Sequence, residues 1–174
     1  MKRLIVTFVF IVICFLMQTT VLQGIRLAGV VPNLMLVITA FSGYINGRNA
    51  GIATGMITGL LIDCQYGTVI GAYALIYMLV GYGNGFCNRL YYRDDYTMPI
   101  ILICLSELFY GIMTYGMQFL LRGRIDFIYY FGKLIMPELI YTLVFSIVVY
   151  KLILWIYNII ERPDKEAIWF VTYY

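Results

Sequence analysis

Side chains able to do chemistry are scarce in this sequence, and the missing types exclude a great deal. There is no histidine, and serine occurs only as Ser42, Ser106 and Ser146. Without an imidazole, a Ser-His-Asp triad, a histidine zinc site and histidine ligation of haem are all ruled out. An aspartyl mechanism needs two carboxyl groups in one site. Asp63 and Asp126 share a predicted face but lack a catalytic frame, while the adjacent Asp94 and Asp95 would not face each other on a helix. No glycine-rich phosphate loop with a lysine is present. The four cysteines, Cys14, Cys64, Cys87 and Cys104, include no CxxC pair. Cys64 and Cys87 would stand ~35 Å apart along one helix, far beyond the ~7 Å that a disulfide spans. Free, mostly buried thiols are expected. The chain reads as a non-enzyme, and no catalytic residue, cofactor or metal site is assigned.

Three acids remain as polar candidates. Asp63 ends an apolar run, Leu60-Leu61-Ile62, and precedes Cys64-Gln65-Tyr66-Gly67. Loop solvation is the simpler expectation there, a specific structural or partner bond the other. Glu107 falls near the middle of a hydrophobic run, where an ionised carboxylate costs ~3 kcal/mol or more. Such a group is expected to be neutral, paired, or facing a polar cavity. Function and hydrogen bonding to Thr, Tyr or Gln of a neighbouring helix are equally open. Glu138, just after Pro137, is expected one turn into the last helix, within reach of Lys133, Arg122 or Arg124. Glu107, Tyr110 and Gln118 are spaced to share one helix face.

These residues sit in a chain that water cannot solvate. Its 174 residues are 63% hydrophobic and 12% charged, with a mean hydropathy of +0.88. Soluble domains are about a quarter charged, and one of this length still exposes roughly 30% of its surface. The expected class is therefore all-α: a polytopic membrane protein with six transmembrane helices in one bundle and no soluble domain. Crossing a bilayer takes about 20 apolar residues. The runs between charges place spans at 4–25, 28–46, 48–62, 66–88, 97–121 and 134–158, a single transmembrane domain over 1–174. The third is short: 14 uncharged residues between Arg48 and Asp63 give ~21 Å of helix against a hydrocarbon core of ~30 Å.

Charge arbitrates the doubtful span, because cytoplasmic loops carry excess Lys and Arg. With six spans and the N-terminus inside, Lys2, Arg3, Arg48, Arg89, Arg93, Arg162 and Lys165 lie inside, against Arg26, Arg122, Arg124 and Lys133 outside. Lys151 is left to snorkel from a helix end. If the third run does not cross, six basic residues fall inside and five outside, and the bias nearly vanishes. Six crossings with both termini cytoplasmic is the better expectation. The first span reads as uncleaved, since 22 uncharged residues are too many for a signal h-region and no small-residue cleavage site follows. Trp155, Tyr157 and the tail aromatics Trp169, Phe170, Tyr173 and Tyr174 suit a membrane interface. The basic residues form no polybasic block of the kind that reads as a nucleic-acid or anionic-lipid patch, and membrane lipid is the expected surrounding.

Glycine recurs at every fourth position at Gly43, Gly47, Gly51, Gly55 and Gly59. Small residues let helix backbones approach where lipid offers no hydrophobic drive to associate. The ladder is expected either to pack the bundle internally or to receive a partner's transmembrane helix.

The order of several segments resembles the family of rod shape-determining protein MreD. The segments are Leu16-Met17-Gln18 to Leu22-Gln23, Pro32-Asn33-Leu34, the Gly43–Gly59 ladder, and Gly59-Leu60-Leu61-Ile62-Asp63. Gly67-Thr68-Val69-Ile70-Gly71, Tyr77, Gly81-Tyr82 and Pro137-Glu138-Leu139-Ile140-Tyr141-Thr142 follow, the last like that family's proline-opened final helix. Asn33 departs from the pattern, standing where many relatives carry Asp. The resemblance implies a bacterial inner-membrane, non-enzymatic component of the cell-elongation machinery. That component would clasp the single transmembrane helix of MreC and act through it with MreB, RodA and a penicillin-binding transpeptidase in lateral peptidoglycan synthesis. It also implies a six-helix fold like the substrate-binding subunits of energy-coupling-factor transporters. The rival reading is such a vitamin-binding subunit itself, since fold does not fix function.

Overall fold

Ile11, Cys14, Gln18 and Leu22 form the buried seam of the first helix, α1, while Phe8, Val9, Ile13, Leu16 and Val21 point outward. In the computed structural model α1 runs Lys2–Leu16, widens into a π turn at Met17–Val21 and closes with Leu22–Gly24. Thr19 and Thr20 fold their hydroxyls back onto the Phe15 and Leu16 carbonyls, a habit that loosens helical turns. The structure describes residues 2–26, 29–67, 70–90, 97–122 and 127–172, without the side chains of 2–6, 90, 118–122 and 157–172. The sequence expectations for Lys2, Arg3, Thr68, Val69, Arg93, Asp94, Asp95, Gln118, Arg122, Arg124, Asp126, Tyr157, Arg162, Lys165 and the tail aromatics lie outside the described residues.

Among the described residues every extended element is a helix. Helix α2, Leu34–Asn46, is buried without interruption from Leu34 to Tyr44. A helix that is apolar all round belongs at the centre of a bundle, and α1 and the later helices surround it. It starts six residues later than the expected span at 28 because Pro32 supplies no N–H and Asn33 caps the first turn, its side chain accepting from the Leu36 N–H. Helix α3 is Arg48–Tyr66 and helix α4 is Ala72–Phe86, followed by a 3-10 turn at Cys87–Leu90. The corner between α2 and α3 turns on Gly47, at φ 89°, a backbone conformation that glycine adopts without strain. Asn88 donates to the Tyr44 and Ile45 carbonyls at 2.7 and 2.9 Å, satisfying the exposed end of α2.

Helix α5 spans Thr97–Arg122 and helix α6 runs from Phe127 through a π turn at Phe131–Ile135 and on as Met136–Thr172. The helix that carries the expected last span, 134–158, begins upstream of it. Pro137 does not open α6 but lies well inside it. The proline ring cannot accept a normal carbonyl four residues back, and the π turn immediately upstream accommodates it. Among the described residues, three stretches are long and apolar enough to cross a membrane: Thr7–Gly24, Thr97–Met117 and Phe127–Ile156. Helices α2, α3 and α4, with 13, 19 and 15 residues, form a tightly packed inner group. Exposed aliphatic side chains such as Leu75, Leu105, Ile140, Val144 and Val148 coat the outside.

Candidate functional site

Asp63 is 2% exposed, which corrects the expectation of a solvated loop acid. Its carboxylate reaches from the end of α3 to the start of α4, accepting the N–H groups of Gly71 at 3.0 Å, Tyr73 at 3.0 Å and Ala74 at 2.9 Å. The first N–H groups of a helix have no partner within it, and a negative charge there also favours the helix dipole. Gly71, at φ 99°, turns the chain so that these donors converge. One acid thus ties two antiparallel helices together at their shared end.

The glycine ladder continues that joint. A Cβ placed on Gly51, Gly55 or Gly59 would collide with the backbone of Gly81, Tyr77 or Ala74 respectively, and one on Gly43 with Gly81. Gly81 and Gly85 complete the contact from α4, against Gly51 and Arg48. Four rungs of the expected ladder are therefore covered by α4 from within the chain. Gly47 is the exception, with only Asn88 approaching within 4 Å of such a Cβ; its role is the corner. Two hydroxyl pairs lock α2 to α3 beside the glycines, Thr39 with Thr58 at 2.8 Å and Ser42 with Thr54 at 2.7 Å.

A third feature joins five helices. The N-terminus of α2 lies inside the bundle, and its donors are met by side chains from elsewhere. Gln18, in the π turn of α1, accepts the Met35 N–H at 3.1 Å. Thr142 of α6 accepts the Asn33 N–H at 3.0 Å and donates to Glu107 of α5 at 3.3 Å. Tyr77 of α4 donates to the Asn33 side-chain oxygen at 2.8 Å. All five of these side chains are buried. A separate bond links Asn84 of α4 to Ser106 of α5 at 2.8 Å.

Glu107 is fully inside this junction, and its second carboxyl oxygen has no hydrogen-bond partner among the described residues. Glu138 does not pair with Lys133, which instead donates to and stacks over Tyr129. Because α6 begins at Phe127, Glu138 lies three turns inside the helix rather than one. There its carboxyl interacts electrostatically with Glu107, Tyr77, Tyr110 and Tyr130. Tyr110 packs edge-on against Tyr77, ring centres 5.7 Å apart. The structure thus brings Glu107, Tyr110 and Glu138 to one region, while the side chain of Gln118 is outside the described residues. Glu107 is buried with the Thr142 hydroxyl as its hydrogen-bond partner, whereas Glu138 is half-buried.

The thiols of all four cysteines are free, but only Cys14 is buried and Cys64 is exposed, so the expectation of mostly buried thiols is corrected. Among the described residues no group of three or more His, Cys, Asp or Glu side chains is placed to hold a metal. What this arrangement does with its polar groups is hold helices in register.

A model of the family described as rod shape-determining protein MreD matches residues 1–161. The chain belongs to the MreD family. It is a multi-pass membrane protein of cell-shape determination. Neither a curated protein nor a solved structure matches it.

Within this MreD chain, the junction residues fall in the segments that carry the family resemblance. Gln18 follows Leu16-Met17, Asn33 follows Pro32, Tyr77 stands alone, and Thr142 closes the Pro137 segment. Reading residue types along the sequence singled out the acids and glycines but missed these four amides and hydroxyls as a group. Their partners lie 17 to 109 residues away, so no local spacing reveals them. The available signal was a polar residue embedded in each resembling segment of otherwise apolar sequence.

Proposed function

We propose that this MreD-family chain is a non-enzymatic subunit of the bacterial cell-elongation machinery, embedded in the cytoplasmic membrane by six helices with both termini in the cytoplasm. It binds the transmembrane helix of MreC, and through MreC it works with MreB, RodA and a penicillin-binding transpeptidase in lateral peptidoglycan synthesis. The observation that carries this reading is the family match over residues 1–161. Two physical facts support it. The polar groups of the interior act as struts between helices, which suits an adaptor with a fixed shape. The basic residues favour the inner side when all six helices cross.

The glycine face is covered by α4, so the partner helix needs another surface. A lateral cleft of about 310 Å³ opens between α1 and α3 over α2, with Ala50, Ala53 and Thr54 on one wall and Phe8 and Ile11 on the other. Small residues allow close helix approach in lipid. Co-purification in mild detergent tests the assignment: tagged native chain retains MreC, and Ala53→Trp weakens that retention without lowering the melting temperature. A bound vitamin found in the purified protein, lost in Glu107→Ala, would favour the transporter-subunit reading instead.

A further inference from the structure

A second cleft differs in composition from the first. It lies between α2, α5 and α6, has a volume of about 390 Å³, and is walled by Phe41, Ile100, Ile103, Ile147 and Tyr150. That volume is within the range of small-molecule sites. Ser146 is the only small side chain among the described lining residues, so a helix backbone cannot approach closely over most of the cleft. A flexible hydrocarbon chain can, because it fills an irregular slot between branched side chains.

Lys151 lies at the edge of the same cleft. It is exposed and forms no ion pair or hydrogen bond among the described residues. It stands about 10 Å before the expected end of the last span at residue 158, and α5 begins nearby at Thr97, so the cleft lies toward one end of both helices. No acid lines it. An apolar slot that ends beside a cation with no partner among the described residues, its side chain free to snorkel toward the headgroups, is complementary to one lipid chemistry. The geometry points to a binding site for an anionic phospholipid, with an acyl chain between α5 and α6 and its phosphate on Lys151. Snorkelling explains why a lysine is tolerated at this depth; the bound phosphate gives that lysine a partner. This inference does not depend on MreC.

Native mass spectrometry of the full chain tests it, with phosphatidylglycerol and phosphatidylethanolamine of identical acyl chains added in turn. The native protein retains more phosphatidylglycerol than phosphatidylethanolamine. Lys151→Gln lowers phosphatidylglycerol retention on the order of fivefold, leaves phosphatidylethanolamine unchanged, and Lys151→Arg restores the preference. Ile147→Trp, which fills the slot, lowers retention of both lipids. Should that variant fail to fold, the exposed Lys151→Gln change still decides the question. Equal retention of the two lipids by the native protein would overturn the proposal. So would a preference that survives Lys151→Gln, or a co-purifying protein helix that occupies the cleft and excludes lipid.

Discussion

The Tyr77 hydroxyl donates to the Asn33 side-chain oxygen across 2.8 Å, joining two helices at residues 44 positions apart in the sequence. The same oxygen also accepts the Leu36 N–H at 3.2 Å, so one amide both caps α2 and anchors α4.

Removing the hydroxyl alone leaves the cap in place. Tyr77→Phe is therefore expected to lower stability by about 0.6 kcal/mol and at most ~1.7, the range for interhelical hydrogen bonds in membranes. Asn33→Ala removes the cap as well and strands the Tyr77 hydroxyl, costing about 2–4 kcal/mol in all. Unfolding of the two single variants and the double variant in detergent checks this. The double variant should fall short of the sum, because both changes break one bond.

Thr142 serves two helices through a single oxygen. Thr142→Val keeps the shape but leaves the Asn33 N–H and Glu107 without it, at a cost of about 2–3 kcal/mol. Glu107→Gln keeps an acceptor for Thr142 and is expected to cost less than Thr142→Val in the same melting assay. The reverse order would show that Glu107, not the Thr142 relay, dominates the junction.

Asp63 carries the joint between α3 and α4. Asp63→Asn retains one acceptor oxygen and loses the charge that strengthens all three bonds, which is expected to lower stability by about 1.5–3 kcal/mol. Asp63→Ala should be worse. Hydrogen exchange would locate the damage, with faster exchange at the Gly71, Tyr73 and Ala74 amides than elsewhere in α4.

Glycine positions separate by what they face. Gly55→Leu and Gly81→Leu push a side chain into the opposing backbone and are expected to cost about 1–3 kcal/mol or more. Gly83 is exposed, and a methyl group added there would meet nothing within 4 Å, so Gly83→Ala should be neutral or stabilising by up to ~1 kcal/mol. Thermal melts of the three proteins, compared under one detergent, give the ranking.

Much of this architecture was legible in the sequence because its cause is local. Hydropathy over about 20 residues marks α1, α5 and α6, and the four-residue glycine repeat marks the face where α3 meets its neighbour. Which neighbour was not legible, since close packing against α4 and docking of a partner helix leave the same repeat. Asp63 read as a loop acid because its three donors sit on the far side of a turn. Pro137 read as a helix start because proline is favoured in a first turn; only the π turn at Phe131–Ile135 lets it lie within a helix. Glu138 was accordingly placed one turn into its helix, with Lys133 among its possible partners, whereas Lys133 turns to Tyr129. Gln18, Asn33, Tyr77 and Thr142 were beyond residue-type reasoning, because what makes them a group is three-dimensional.

The most direct test of the central proposal is quantitative co-purification of MreC with the full-length tagged chain in mild detergent. The account predicts that native protein and Lys151→Gln retain MreC equally, while Ala53→Trp retains less although it melts at the native temperature. A well-folded native protein that retains no MreC would contradict it.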